Sequence, residues 1–279
     1  MQRRRIDVVV ISDVHLGTYG CHATELVTYL KSIEPGVLIL NGDIIDGWQF
    51  SKRYFPHAHF AVIKEILHLM SLSSRIVYIT GNHDEMLRKY SDLELGNLVL
   101  ADKYILEIDN QKMWIFHGDV FDNTTTGSAK ILAKMGGKGY DLLILLNRVI
   151  NFVSKKLGRD QVSFSKKVKD SVKSAVKYIN NFERIIAGLA IENGFDYVIC
   201  GHIHQPCKKK FTSSKGQTVY LNSGDWVENL TALEYHAGEW NIFCYAESAL
   251  EAGQAAQLLP KSINILSENT DLIFWENLY

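Results

Sequence analysis

Residues 37–46 read VLILNGDIID, an apolar run that ends in a glycine and acidic residues. The apolar part, Val37 to Leu40, has the composition of a buried strand, and the glycine before Asp43 marks its end. Similar apolar runs occur at residues 6–11, which end before Asp13, and at residues 76–79, which end before Gly81-Asn82-His83-Asp84. Three buried strands that each end in polar residues predict a sheet with ligand-like side chains along one edge.

Helical patterns separate these strands. Residues Leu26 to Ile33 and His59 to Met70 carry apolar side chains at helical spacing. Strand and helix therefore alternate, which favours an α/β fold with helices covering the sheet faces. Further along, Tyr104 to Ile108 and Met113 to Phe116 predict a hairpin around Asn110. Later strands are expected at Tyr197 to Cys200, Val219 to Asn222, Leu233 to Tyr235 and Trp240 to Tyr245.

The strand pattern is interrupted between Phe121 and Asn193, where we predict a helical insertion at about residues 124–193. Gly194 is a suitable C-cap for its last helix. We expect one domain over residues 1–279, with a C-terminal tail at about 247–279.

The composition excludes several classes of protein. The 279 residues suffice for a sizeable core, and the net charge of −1 provides no global basic field for nucleic acid. Four cysteines without a C-x-x-C pair indicate reduced thiols and a cytoplasmic protein. The apolar runs are too short for a secretion signal or a transmembrane helix.

Five short motifs rich in oxygen and imidazole ligands follow strand-like runs. They are Asp13-Val14-His15, Gly42-Asp43-Ile44-Ile45-Asp46, Gly81-Asn82-His83-Asp84, His117-Gly118-Asp119 and Gly201-His202-Ile203-His204. Together they supply enough ligands for two divalent metals about 3.5–4 Å apart, an arrangement that holds a phosphoryl group during displacement. This ligand mixture suits Mn, Fe, Co or Zn and excludes a thiolate zinc site. The role of Asp46 is open between supporting a ligand and capping its loop. For Asp119 and Asp122 the choice is between contacting substrate and capping the first helix of the insertion.

From Ile6 to about Trp226, these motifs resemble the calcineurin-like metallophosphoesterase superfamily. The resemblance implies a fold of two packed β-sheets flanked by helices. It implies that one metal is held by Asp13, His15, Asp43 and His204, and the other by Asp43, Asn82, His117 and His202. It also implies that His83 protonates the leaving group or steadies the phosphoryl oxygens, and that Asp84 orients His83 through a hydrogen bond.

A narrower resemblance rests on residues 201–206 and 222–228. These stretches, with the insertion, resemble the branch that contains UDP-2,3-diacylglucosamine pyrophosphohydrolases. That branch implies cleavage of a nucleotide–lipid pyrophosphate to UMP and 2,3-diacylglucosamine 1-phosphate in lipid A synthesis. It also implies Mn²⁺ and a helical lid over acyl chains, in a protein peripheral to the cytoplasmic face of the inner membrane. The well-known enzyme of the branch has arginine where this chain has His83.

The insertion itself leaves two interpretations open. Residues Leu142 to Val153 are more apolar than one helix stripe requires, so they need a second partner. Acyl chains or a membrane surface would serve, and so would the protein core or a dimer mate. Lys166, Lys167 and Lys169, with Asp122, are candidates for substrate contact, although the lysines are equally typical of a solvated helix face.

Other functions remain to be compared with this one. A phosphodiesterase or phosphatase acting on a soluble nucleotide or other phosphoester would use the insertion as a plain cap. A non-catalytic scaffold should have lost ligands, and none is lost here. A nuclease is disfavoured because the sequence shows no groove of aromatic and basic residues. The sequence does not indicate an oligomeric state.

Overall fold

The structure, a computed structural model, describes residues 3–49, 54–124 and 165–251. Over these residues, the strands are β1 (Arg4–Ile11), β2 (Ile33–Asn41), β3 (Arg75–Ile79), β4 (Leu93–Leu95), β5 (Leu98–Ala101), β6 (Lys103–Ile108), β7 (Gln111–Phe116), β8 (Tyr197–Cys200), β9 (Cys207–Ser213), β10 (Gly216–Asn222), β11 (Thr231–His236) and β12 (Glu239–Cys244). The helices are α1 (Ala23–Ser32), α2 (His57–Ser71), α3 (Ser165–Glu192) and α4 (Tyr245–Glu251), with 3-10 helices η1 (Glu85–Tyr90) and η2 (Asp119–Thr124).

The first sheet has seven strands in the order β12-β11-β1-β2-β3-β5-β4. Its four central strands, β1, β2, β3 and β5, run parallel, and the remaining strands are antiparallel to their neighbours. Val10 pairs with Ile39, and Ile39 pairs with Val77. The carboxyl ends of β1, β2 and β3 are therefore level, so the loops that follow them emerge side by side.

The second sheet has five strands in the order β6-β7-β8-β10-β9. Strands β7, β8 and β10 are parallel, while β6 and β9 are antiparallel edge strands. The predicted hairpin is confirmed, because Ile108 at the end of β6 pairs with Gln111 at the start of β7.

Three apolar clusters hold the layers together. One face of the first sheet packs against α1 and α2 through residues such as Leu26, Leu38 and Val62. Its other face packs against the second sheet, where Ile39, Met113 and Leu221 are buried. The outer face of the second sheet packs against α3. That cluster contains Phe116, Phe182, Ile186, Ala190, Val198, Cys200 and Tyr220. The resulting order of layers, helices–sheet–sheet–helix, confirms the predicted α/β fold of two packed sheets.

Helix α3 ends as the sequence predicted. Gly194 has a positive φ of 70°, and its N–H donates to the carbonyl of Ile191. The next N–H, of Phe195, donates to the carbonyl of Ala190, which completes a Schellman motif. This cap turns the chain directly into β8.

The structure differs from the sequence prediction at several boundaries. Helix α1 ends at Ser32, and Ile33 opens β2 because it pairs with Arg4 of β1. Strand β12 ends at Cys244, where α4 begins. Strands β4, β5 and β9 were not predicted. Strand β4 is exposed throughout and β9 is an edge strand rich in lysine, so neither shows the apolar pattern of a buried strand.

The chain divides into two compact units, Met1–Tyr245 and Ala246–Tyr279. All twelve strands and helices α1 to α3 belong to the first unit, and the described part of the second is the remainder of α4. The predicted apolar stretch Leu142 to Val153 and the tail beyond residue 251 lie outside the described residues. Among the helices that are described, none is both long and apolar enough to cross a membrane.

Candidate metal centre

The predicted ligands and His83 lie in loops at the carboxyl ends of parallel strands. Asp13 and His15 follow β1, Asp43 follows β2, Asn82 and His83 follow β3, His117 follows β7, and His202 and His204 follow β8. Because the two sheets pack face to face, loops from both meet at one edge. Asp13 and His204 are 191 positions apart in sequence, yet Asp13 Oδ1 lies 3.1 Å from His204 Nε2 there.

Three groups of side chains are arranged to hold a metal ion, each with ligand atoms within 4.8 Å of one another. The groups are Asp13 with His15 and His204, Asp43 with His117 and His202, and His15 with Asp43 and His83. The first two groups correspond to the two ligand sets that the family resemblance implies.

Buried polar atoms around this cluster make no hydrogen bond within the described part of the chain. They include Asp13 Oδ1, His15 Nε2, Asn82 Oδ1 and His117 Nε2. Two of them lie in ion-pair contacts within the cluster, Asp13 Oδ1 at 3.1 Å from His204 Nε2 and His117 Nε2 at 3.2 Å from Asp43 Oδ2. A buried polar atom without a partner costs about 1–3 kcal/mol. Two carboxylate or amide oxygens and two imidazole nitrogens are a suitable donor set for divalent cations, so these residues fit the metals that the sequence predicts.

Two of these imidazoles have Nδ1 engaged by an oxygen acceptor, which leaves Nε2 as the nitrogen available to a metal. His117 Nδ1 lies 2.9 Å from the backbone carbonyl of Asn41, to which it can only donate. His15 Nδ1 lies 3.2 Å from Asp46 Oδ2. With Nδ1 as the donor to oxygen, Nε2 can bind a metal once any proton on it is released, and such a second hydrogen bond is common for ligating histidines.

Asp46 is the partner of His83, where the sequence predicted Asp84. His83 Nδ1 lies 2.9 Å from Asp46 Oδ2. Asp84 is instead fully buried and accepts from the N–H groups of Gly81 and Ile44 and from the Tyr78 hydroxyl. Because these partners lie in β3 and in the loops after β2 and β3, Asp84 holds the backbone turn rather than the imidazole.

Both alternatives for Asp46 hold at once. Its Oδ1 accepts from the N–H groups of Trp48 at 3.0 Å and Gln49 at 2.7 Å, which caps the loop. Its Oδ2 faces His15 and His83. Although burial acts to raise the pKa of Asp46, these hydrogen bonds lower it well below its usual range.

Carboxylates and imidazoles in the cluster shift each other's ionisation. Burial alone would raise the pKa of Asp13, but His204 and His117 lower it to about 2. Burial would lower the pKa of His117, but Asp43 and Asp13 raise it to about 10. Burial likewise opposes the rise of the His204 pKa to about 9, which Asp13 causes. Protons on imidazoles thus balance the buried carboxylates of the metal-free protein.

Five of the predicted ligands adopt left-handed backbone conformations. The φ angles are 52° for Asp13, 52° for His15, 54° for Asp43, 67° for His202 and 52° for His204. Positive φ is uncommon outside glycine and clusters at functional sites. In this conformation backbone N–H groups can turn inward: His202 N–H donates to Asp13 Oδ2 at 3.0 Å.

The glycines of the motifs are required by close approach. A Cβ added at Gly42 would overlap the imidazole of His117, and one added at Gly81 would overlap the carboxylate of Asp43. The Gly-Asp and Gly-Asn pairs therefore allow each strand's loop to pack directly against a ligand from another strand.

Sequence reasoning missed two supporting groups. The Asn41 carbonyl orients His117, and its role could not be read from residue type because any residue has a carbonyl. Asp225 is fully buried, accepts the N–H of Val227 at 2.8 Å, and places Oδ2 3.8 Å from His204 Nδ1. Its place directly after β10, in Asn-Ser-Gly-Asp, was the available signal.

The structure does not test the predicted substrate-binding residues. The side chains of Asp122, Lys166, Lys167 and Lys169 lie outside those that the structure describes. Asp119, which was open between substrate contact and capping, accepts from Arg88 Nη2 at 2.9 Å. That ion pair ties the loop after β7 to η1.

Two packed sheets with carboxylate, amide and imidazole groups gathered at one edge define a metal-dependent phosphoester hydrolase. Residues 6–206 match the calcineurin-like phosphoesterase family, and the chain belongs to this family. Membership implies divalent metal ions, for which the groups described above are candidate ligands.

Several relatives carry the name that the narrower resemblance indicated. A UDP-2,3-diacylglucosamine hydrolase of Aliivibrio fischeri (strain MJ11) is 24% identical over 231 residues, which cover 82% of this chain and 94% of that protein. The protein of the same name from Aeromonas salmonicida (strain A449) is 26% identical over 243 residues, or 85% of this chain and 92% of its own length. Among solved structures, Yfce, a phosphoesterase from E. coli, is 14% identical with a TM-score of 0.42, covering 86% of this chain and 93% of its own.

Proposed function

We propose that this chain hydrolyses the pyrophosphate bond of UDP-2,3-diacylglucosamine to UMP and 2,3-diacylglucosamine 1-phosphate, a reaction of lipid A synthesis. The observation that carries the proposal is the convergence of buried ligand atoms from Asp13, His15, Asn82 and His117, none of which makes a hydrogen bond in the described part of the chain. The choice of substrate is supported by relatives named for it, which match this chain over more than nine-tenths of their own length.

The proposal assigns ligands to two divalent cations, preferably Mn²⁺, with Fe, Co or Zn as alternatives. Asp13, His15, Asp43 and His204 would hold one, and Asp43, Asn82, His117 and His202 the other. When bound, the two ions would offset the negative charge of the pyrophosphate and lower the pKa of a bound water towards neutrality. The protein's part is to fix the ligand atoms in advance, through the N–H of His83 on Asp43 Oδ1 at 2.8 Å and the Asn41 carbonyl on His117.

His83 is assigned as the general acid. Asp46 Oδ2 lies 2.9 Å from His83 Nδ1, and His83 Nε2 lies 4.0 Å from Asp43 Oδ2, on the side of the shared ligand. Nε2 is therefore the atom that would transfer a proton to the leaving oxygen. Asp84 contributes indirectly by holding the Gly81 turn. Removing a general acid costs about 10²–10⁴-fold in turnover.

The roles proposed for the insertion, the tail and the substrate-binding side chains rest on the sequence. One catalytic domain would carry the insertion at about 124–193 as a lid over acyl chains, followed by the tail at about 247–279. Asp122, Lys166, Lys167 and Lys169 would contact the substrate. The protein would act in the cytoplasm, on the inner face of the inner membrane, where the lipid is accessible.

A second function is a phosphodiesterase or phosphatase acting on a soluble nucleotide or other phosphoester. The observation that favours it is His83, which stands where the well-known lipid enzyme has arginine. In this case the insertion would be a cap without lipid contact.

Two substrates distinguish the two proposed functions. Mn²⁺-loaded protein is assayed for turnover of UDP-2,3-diacylglucosamine and of bis-p-nitrophenyl phosphate, a generic diester. Rapid UMP release from the lipid supports the first function. Activity on the generic diester alone would discard the lipid substrate and retain the hydrolase. Asp43→Asn, prepared in the same way, controls for contaminating phosphatases, and His83→Ala should keep its metals while losing most turnover of either substrate.

A further inference from the structure

Trp48 is an exposed aromatic side chain directly beside the candidate metal centre. The residue is 54% exposed, and its ring centroid lies 4.2 Å from that of His83 at an interplanar angle of 34°. Single exposed aromatic residues are common on protein surfaces. This one differs because the ring beneath it is the assigned general acid.

The loop that carries the indole is held in place by backbone hydrogen bonds. Trp48 N–H donates to Asp46 Oδ1 at 3.0 Å, and Gly47 N–H donates to the carbonyl of His83 at 2.8 Å. A Cβ at Gly47 would lie only 2.7 Å from that carbonyl oxygen, so the loop lies flat against the His83 turn. An aromatic ring fixed before a ligand arrives binds with a smaller loss of conformational entropy.

The position of the ring suits one part of a nucleotide. His83 is adjacent both to Trp48 and to the shared ligand Asp43, whose Oδ2 lies 4.0 Å from His83 Nε2. In a nucleotide, one sugar separates the phosphate from the base. A phosphate bound at the metal ligands would therefore allow its base to reach the ring beyond His83.

We infer that Trp48 is the stacking platform for the nucleobase of the substrate. The inference rests on the proposed function in so far as that function places a nucleotide phosphate at the metal centre. Every base has a π-face, and stacking on an aromatic side chain is tolerant of base identity. Trp48 would thus favour nucleotides over other phosphoesters, while discrimination among bases would come from elsewhere.

The test compares two ligands that differ only in the base. Dissociation constants of UMP and ribose 5-phosphate are measured by calorimetry on Mn²⁺-loaded protein. The wild type should bind UMP about tenfold to hundredfold more tightly. Trp48→Ala should reduce UMP affinity to that of ribose 5-phosphate and leave the latter unchanged, and Trp48→Phe should retain most of the preference. Phe60→Ala, which removes a comparably exposed aromatic side chain (58%) from α2, should change neither constant.

Two results would overturn the inference. One is a wild type that binds both ligands equally, a comparison that needs no variant to fold. The other is a Trp48→Ala protein that loses affinity for both ligands alike, which would assign Trp48 to the support of His83. A preference for UMP without turnover of UDP-2,3-diacylglucosamine would refute the lipid substrate and leave the platform in place for another nucleotide.

Discussion

Replacing Asp46 by asparagine should reverse the protonation of two histidines at once. The new side chain would keep a carbonyl oxygen for the N–H groups of Trp48 and Gln49, so the loop is preserved. Towards His15 and His83 it would present an NH₂ group in place of Oδ2. Because an NH₂ group only donates, each ring must offer a lone pair at Nδ1 and carry its proton on Nε2.

The size of the effect follows from these contacts. A hydrogen bond to a charged group contributes about 1.5–3 kcal/mol, so His15 loses about that much preference for the productive tautomer, and His83 loses its ion-pair contact with Asp46 as well. His15 with a protonated Nε2 cannot bind a metal, and loss of such a supporting group lowers metal affinity about 10–100-fold. A disturbed general acid at His83 adds a loss of about 10²–10⁴-fold in kcat.

Metal content after dialysis against a fixed Mn²⁺ concentration, and kcat at saturating Mn²⁺, measure the two effects separately. Excess metal should restore occupancy but not turnover. Asp84→Asn is the matched control, because Asp84 contacts backbone N–H groups and Tyr78 but neither ring. If Asp46→Asn kept normal metal content and kcat while Asp84→Asn lost both, the assignment of Asp46 would be refuted.

Other perturbations test the surroundings of the site. Because the pKa of His117 is raised to about 10, metal binding at pH 7 should release the proton from this imidazole. Below that pKa, the apparent metal affinity should therefore rise about tenfold per pH unit for each proton released. Calorimetry in buffers of different ionisation enthalpy measures the proton release, and finding none would contradict the prediction. Gly81→Ala should abolish metal binding, since the methyl group overlaps Asp43, as elemental analysis would show. Gly188→Ala, in open space on α3, should instead raise the free energy of unfolding by about 1 kcal/mol in urea titrations. Burial raises the pKa of the Cys207 thiol to about 12 from 9.0, so its alkylation at pH 8 should be about a thousandfold slower than that of an ordinary thiol. Mass spectrometry would contradict this prediction if it showed rapid labelling of Cys207 in the folded protein.

The sequence predicted the parts of the fold in which residue type and burial agree. Strands β1, β2, β3 and β8 are buried over most of their length, so their composition alone identified them. Strand β9 was missed because its lysines face solvent at a sheet edge, where pairing with β10 rather than side-chain burial stabilises the strand.

The same distinction applies to the candidate site. Residue type identified potential ligands, since few roles other than ligation gather so many imidazoles and carboxylates in strand-end motifs. It could not identify which carboxylate supports His83, because Asp46 and Asp84 are the same residue type and lie in different loops. Their roles depend on the parallel pairing of β2 with β3, which places Asp46 against the ring and Asp84 beneath the turn.

The left-handed backbone of Asp13, His15, Asp43, His202 and His204 has an evolutionary consequence. At about 1–2 kcal/mol per residue, the five conformations together cost about 5–10 kcal/mol, which is comparable to the entire stability of a typical domain. Glycine at any of these positions would relieve the conformational strain while removing a ligand. A mutation that abolishes catalysis in this way would therefore lower the free energy of the folded state. All five ligands are nevertheless present in this chain, so its fold keeps a geometry suited to metal binding at a cost to its own stability.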